Sequence, residues 1–171
     1  LSKEEIVSQA RIDHEQGVLR YSIVTSGKRL SDEEVDAMCE TVREIKEKVG
    51  ILVCVSFGLL KEQQFRKLKE AGVTRVHNNL ETSRRNFPNI CTTHRFDDKV
   101  QAIRAAQSAG LSVCSGGIMG LGETTEDRID MALTLRELGI LSVPVNMLNP
   151  IPGTPLENNE RLTKEEMQRI V

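Results

Sequence analysis

Apolar residues recur along this chain with two alternating periods. Residues 2–16 carry Ile6, Val7, Ala10 and Ile12 at helical spacing, and Ser2 and Glu5 stand three apart as a capping box. Residues 31–49 repeat the pattern: Ser31 and Glu34 open the segment, and Val35, Met38, Val42 and Ile45 form its stripe. Further helices are predicted over 61–70, 97–109, 125–138 and 163–171. Between them lie apolar runs at 18–25, 51–57, 75–80, 111–118 and 141–148. The run 51–57 is unbroken, as in a strand buried on both faces. Gly17, Gly50, Gly72, Gly110 and Gly139 close the helices, and the Pro-rich segment 150–155 makes a rigid turn.

This pattern predicts five strands, each preceded by a helix and joined by short connections. Such alternation requires right-handed crossovers and a parallel sheet. A repeat of roughly 28–35 residues suits an arc of a (β/α) barrel better than a solenoid. The expected fold is therefore α/β: a partial (β/α) TIM-type barrel of five parallel strands with flanking helices, over residues 1–171. The chain opens at Leu1 and stops at Val171 inside helical patterns, so it reads as the central piece of a longer protein with N- and C-terminal parts outside it. Open sheet edges would invite pairing with another chain.

Composition narrows the function. With 39% hydrophobic and 28% charged residues the chain is ordinary for a globular protein. A net charge of -2 with interspersed signs and 3% aromatics argues against nucleic acid as a partner. No apolar run approaches the ~20 residues of a membrane span. The scattered cysteines Cys39, Cys54, Cys91 and Cys114 suit a reducing, cytoplasmic setting and form no CxxC or CxxxCxxC spacing.

In a (β/α) barrel the chemistry sits at the C-terminal ends of the strands. There the sequence places Cys54, His77-Asn78-Asn79-Leu80-Glu81-Thr82, Cys114-Ser115-Gly116-Gly117-Ile118-Met119-Gly120 and Asn146. Each has two readings. Asn79 and Asn146 either contact a ligand or satisfy a buried network. Cys54 and Cys114 are either small core residues or metal ligands. Cys39 and Cys91 read as plain thiols, and His77 as a core or orienting histidine. The glycines either loosen a loop or let the backbone approach a flat ligand. The segment lacks both GxGxxG order and GK[ST], which argues against a nucleotide P-loop.

The segments HNNLETS (77–83), NICTTH (89–94), VCSGGIMGLGE (113–123) and SVPVNML (142–148) resemble the biotin synthase family of radical S-adenosylmethionine enzymes, in family order. The resemblance implies sulfur insertion into dethiobiotin. In that family a 4Fe–4S cluster, held by a CxxxCxxC loop, cleaves S-adenosylmethionine to a radical that abstracts hydrogen, and an auxiliary cluster, often 2Fe–2S, donates sulfur. It implies that Asn79, Glu81, Lys99, Gly117, Ile118 and Met119 contact S-adenosylmethionine. It implies that Asn79 and Asn146 contact substrate, and that Cys54 and Cys114 ligate the auxiliary cluster. Three positions depart from the pattern: Ser22 replaces a third cysteine ligand, Lys99 an arginine and Glu81 an aspartate. The auxiliary cluster is thus of open type. The CxxxCxxC loop is expected before Leu1 and an arginine ligand after Val171, so this chain alone is expected to be inactive. Expected partners are an electron donor such as flavodoxin or ferredoxin and a second copy in a homodimer. Two alternatives stay open: another radical enzyme of this group, of the hydrogenase-cofactor maturase or lysine-derivative mutase type, or a non-catalytic (β/α) binding module.

Overall fold

The computed structural model describes residues 1–170, in the order α1 (Lys3–Glu15), β1 (Arg20–Val24), α2 (Asp32–Lys48), β2 (Leu52–Ser56), α3 (Glu62–Ala71), β3 (Val73–His77), α4 (Phe87–Ile90), α5 (Phe96–Ser108), β4 (Ser112–Cys114), β5 (Gly117–Met119), α6 (Thr125–Glu137), β6 (Val145–Met147) and α7 (Lys164–Ile170). Val171, the last residue of the helix predicted over 163–171, lies outside the described residues. Two compact units emerge. One comprises Leu1–Asn78 with Gln101–Val113, the other Asn79–Val100 with the chain from Cys114 onward.

In the first unit the predicted capping boxes are formed. The Glu5 N–H donates to Ser2 Oγ at 3.2 Å and the Ser2 N–H to the Glu5 carboxylate at 2.6 Å. Ser31 and Glu34 make the same pair, at 3.2 and 2.7 Å. Each satisfies two N–H groups that the first turn leaves without partners. The α2 stripe buries Val35, Val42 and Ile45 completely. Burying an aliphatic side chain contributes about 1.5–3 kcal/mol, which makes this stripe, more than helix propensity, the reason α2 holds.

The strands run in the order β1-β2-β3-β4, and β1, β2 and β3 pair in parallel. Val53, Cys54 and Val55 are all buried, so both faces of β2 are covered, and Cys54 stands in register with Ser22 on β1 and Arg75 on β3. The register slips at Val53/Cys54, and Thr74 turns its hydroxyl onto the Val53 carbonyl at 3.1 Å. Beyond β2, Gly58 adopts φ +76°, and a Cβ there would lie 2.2 Å from the Lys28 carbonyl oxygen.

In the second unit β5 and β6 pair in parallel, with Ile118 beside Asn146. Here the structure refines three expectations. The strand predicted over 111–118 is split into β4 and β5 at Ser115-Gly116, with no helix between them. The run 141–148 forms a ladder only from Val145, because Pro144 has no N–H to give. Ser142 and Pro144 instead offer carbonyls to the N–H groups of Ser115 and Gly117, at 3.1 and 3.2 Å. The short helix α4, carrying Pro88 in its first turn, has no signature in the sequence pattern, since four residues are too few to show a period. Its Phe87 packs edge-on to Phe96 at 5.8 Å.

Gly58→Ala should lower stability by roughly 2–4 kcal/mol, because it adds a clash to a left-handed backbone. Gly27→Ala, with φ +99° and nothing within 4 Å, should cost only its backbone strain. Urea denaturation of both variants checks this; equal losses would contradict it.

Candidate active site

Three short segments meet around Gly116 and Gly117 in the second unit. The Glu81 N–H donates to the Gly116 carbonyl at 3.1 Å, and the Ile118 N–H to the Glu81 carbonyl at 2.8 Å. The Asn79 side-chain oxygen accepts the Gly116 N–H at 3.0 Å. A Cβ on Gly116 would lie 1.9 Å from the Pro144 carbonyl oxygen, and one on Gly117 2.5 Å from Met131 Sδ and 2.6 Å from the Glu81 carbonyl oxygen. The two glycines are therefore required by neighbouring backbone. Close approach of a flat ligand is not needed to explain them.

Glu81 has φ +71°, the one non-glycine residue with positive φ among those described. For a side chain with a Cβ this setting costs on the order of 1–3 kcal/mol, and such strain gathers at functional sites. Its carboxylate oxygen Oε2 is buried without a hydrogen-bond partner. Burial raises the Glu81 carboxyl above its ordinary range, against the charge of Lys99 and a hydrogen bond from Asn79. Burial likewise lowers the Lys99 ammonium, against the pull of Glu81 and Cys91. Asn79, Glu81 and Lys99 thus form one partly desolvated polar cluster.

Of the three residues expected along the adenine edge, Gly117 and Met119 are buried and only Ile118 is partly open. Asn146 is exposed, beside Ile118 in register. In the first unit the register sets Ser22, which is exposed, next to Cys54, which is buried, and the Nε of nearby Arg20 is buried without a partner. Cys114 belongs to the second unit, where its sulfur accepts from the Ser142 hydroxyl at 3.4 Å. Among the described residues no three His, Cys, Asp or Glu side chains cluster as a metal site, and no helix is long and apolar enough to cross a membrane.

Two features have little or no signal in the sequence pattern: the setting of Cys91 and the reach of Asp127. Cys91 sits 3.3 Å from His94 Nδ1 and 3.4 Å from Thr93 Oγ1. Burial pushes its thiol up, but the Thr93 hydroxyl, the Thr93 and His94 N–H groups and the Lys99 charge outweigh that, leaving it below the ordinary range. The second feature is Asp127, a buried carboxylate on α6. The signal was present, since Thr124 and Asp127 have capping-box spacing with Asp in place of Glu.

Residues 1–135 match the model of the Radical SAM superfamily, and the chain belongs to it. Along its whole length it is similar to biotin synthases: 60% identical to that of Akkermansia muciniphila and 58% to that of Brachyspira hyodysenteriae, each over 171 residues. The chain covers 53% and 51% of those proteins, so it spans about half the length of the curated relatives it matches. Among solved structures it superposes on methylornithine synthase with a TM-score of 0.84 at 25% identity, covering 92% of this chain and 47% of that one. It superposes on the FeFe-hydrogenase maturase of Carboxydothermus hydrogenoformans with a TM-score of 0.83 at 22% identity, covering 100% of this chain and 42% of that one. The fold is thus the α/β architecture of parallel strands and flanking helices that these enzymes share.

The raised Glu81 carboxyl carries a pH signature. The unfolded chain loses this proton near pH 4.3, while the folded chain retains it to higher pH. Its contribution to stability is present below that value and is lost as pH rises through the folded value. Glu81→Gln should therefore gain stability relative to the parent as pH rises from about 4 to about 7. Denaturation across that range checks it; a constant difference would show that Glu81 is not held above the ordinary range.

Proposed function

We propose that the protein carrying this chain is a radical S-adenosylmethionine enzyme of the biotin synthase type, inserting sulfur into dethiobiotin. The observation that supports the reaction is the similarity to biotin synthases along the entire chain. The site supports the cofactor. Glu81 presents a buried acceptor oxygen with no internal partner, which suits a hydroxyl or ammonium donor on S-adenosylmethionine. Lys99 supplies a cation for its carboxylate, as a point charge without the two-pronged geometry of arginine. Asn79, already fixed through Gly116, orients Glu81, and Ile118 offers an apolar surface to the adenine. Asn146, with an amide that both donates and accepts, suits the ureido ring of dethiobiotin.

When bound, S-adenosylmethionine and its 4Fe–4S cluster supply the radical that removes hydrogen from unactivated carbon. The four cysteines of this sequence do not form the CxxxCxxC spacing such a cluster uses. For an auxiliary cluster we assign Cys54, buried beside Ser22 and Arg75, as a thiolate ligand, with Ser22 where a further ligand would stand. Cys114 is assigned as a second thiolate on its own strand. The residues present fit a sulfur-donating cluster in donor type, with one hydroxyl in place of a thiolate. The reductant is proposed to be a small electron carrier such as flavodoxin or ferredoxin, and the working form a cytoplasmic homodimer.

The whole protein, reconstituted anaerobically with iron and sulfide, should convert isotopically labelled dethiobiotin to labelled biotin when given S-adenosylmethionine and reduced flavodoxin. Cleavage of S-adenosylmethionine without labelled biotin would overturn the assignment in favour of another product of the same superfamily; no cleavage would favour a binding module. Lys99→Ala should raise the KM for S-adenosylmethionine by about tenfold, the worth of one charged hydrogen bond. Lys99→Arg should stay near the parent. Cys54→Ala should lose the visible absorption of the auxiliary cluster while retaining cleavage of S-adenosylmethionine.

A further inference from the structure

Asp127 does more than cap a helix. It is the third residue of α6 and is only 3% exposed. Its carboxylate accepts from the Thr124 N–H at 2.8 Å and the Thr124 hydroxyl at 3.1 Å, which is the ordinary task of a capping residue. It also accepts from the Ser83 hydroxyl at 2.6 Å and from Arg85, through Nε at 3.0 Å and through a terminal nitrogen of the guanidinium. Those donors lie in the segment that immediately follows Glu81. Ser83 Oγ in turn accepts the Asn86 N–H at 3.0 Å, and the Asn86 amide donates to Thr82 Oγ1 at 3.1 Å.

The segment is thus held at both ends. Upstream, Glu81 is stitched by its own N–H and carbonyl to Gly116 and Ile118. Downstream, two residues later, Ser83 is bonded to a buried carboxylate on a different element. A non-glycine residue at φ +71° relaxes to a more populated region unless its surroundings over-determine it. The two backbone bonds fix where Glu81 sits. The chain after it is held by Ser83 and Arg85 on Asp127 and by the Phe87 N–H on the Ser83 carbonyl at 2.9 Å, and the Ser83–Asp127 bond is the one of these nearest to Glu81 that reaches another element.

We propose that Asp127 and Ser83 are positioning residues for Glu81, pinning the segment after it so that its carboxylate stays buried beside Asn79 and Lys99. That this serves S-adenosylmethionine binding rests on the function proposed above; the pinning does not. The bonds to Ser83, the Thr124 N–H and Arg85 also hold the Asp127 carboxyl well below the usual carboxylate range, so the clamp remains ionised through neutral pH.

The test compares Ser83→Ala, Asp127→Asn and Thr124→Ala in the reconstituted protein. Ser83→Ala breaks the link without changing charge. Thr124→Ala weakens the α6 cap and leaves the link in place. The Glu81 carboxyl is titrated by carbon NMR of 13C-glutamate-labelled protein, with Glu81→Gln identifying its signal. The expected result is a Glu81 pKa that falls toward the ordinary value in Ser83→Ala and Asp127→Asn and stays at the parent value in Thr124→Ala. An unchanged pKa in Ser83→Ala, or an equal fall in Thr124→Ala, would overturn the proposal. S-adenosylmethionine affinity, measured calorimetrically on the same proteins, should weaken about tenfold in Ser83→Ala, the scale of one buried hydrogen bond. If the parent shows no binding, the functional reading fails, while the titration still decides whether the clamp exists.

Discussion

Everything at the candidate site depends on one steric constraint: at Gly116 and Gly117 three backbones come too close for any side chain. The Pro144 carbonyl occupies the space of a Cβ at Gly116, and the Glu81 carbonyl and Met131 sulfur that of a Cβ at Gly117. With side chains excluded, peptide groups bond directly across the junction, and the residues that follow are carried to fixed places. Glu81 is held by its own peptide, Asn79 by its amide on Gly116, and Asn146 by its register with Ile118. The glycines act as a joint that collects polar groups from separate stretches of sequence, and ligand chemistry is left to the side chains around them.

The joint has a cost. It places a carboxylate in a left-handed backbone setting, partly out of water, with one oxygen lacking a partner. Strain and an unsatisfied buried acceptor are each destabilising by on the order of 1–3 kcal/mol. A fold keeps such a residue when its surroundings over-determine it, and here they do, through the backbone bonds of Glu81 and the Asp127 network. An acceptor with no internal partner is a polar group kept ready for a donor from outside. The nearby Lys99 cation supplies the opposite chemistry, so the pair suits a zwitterionic ligand such as the amino-acid end of S-adenosylmethionine.

The fold was largely legible because it is written in period and punctuation. The unbroken run around Val53 and the Ser31/Glu34 box each have one physical reading, and the structure bears them out; of the stripe Val35-Met38-Val42-Ile45 it buries all but Met38, which is half-buried while Cys39 beside it is buried. The break at Ser115-Gly116 was not legible, because it depends on Asn79 and Glu81 arriving from some thirty-five residues upstream to take hydrogen bonds a continuous strand would have used. The shortened β6 was partly legible, since Pro144 cannot donate to a ladder. For the site, residue types and the family resemblance pointed to Asn79, Glu81 and Lys99, which the structure brings together. They also pointed to Met119, whose side chain packs into the core. The strain at Glu81 and the reach of Asp127 to Ser83 are tertiary facts with no local signal beyond the Thr124 spacing.

The measurement that bears most directly on the account is a crystal structure of the reconstituted protein with S-adenosylmethionine bound. The expected result is a ligand donor on Glu81 Oε2, the ligand carboxylate facing Lys99 and the adenine against Ile118, with the Pro144 and Glu81 carbonyls still filling the Cβ space at Gly116 and Gly117. A ligand seated elsewhere, with Glu81 Oε2 still lacking a partner, would contradict it.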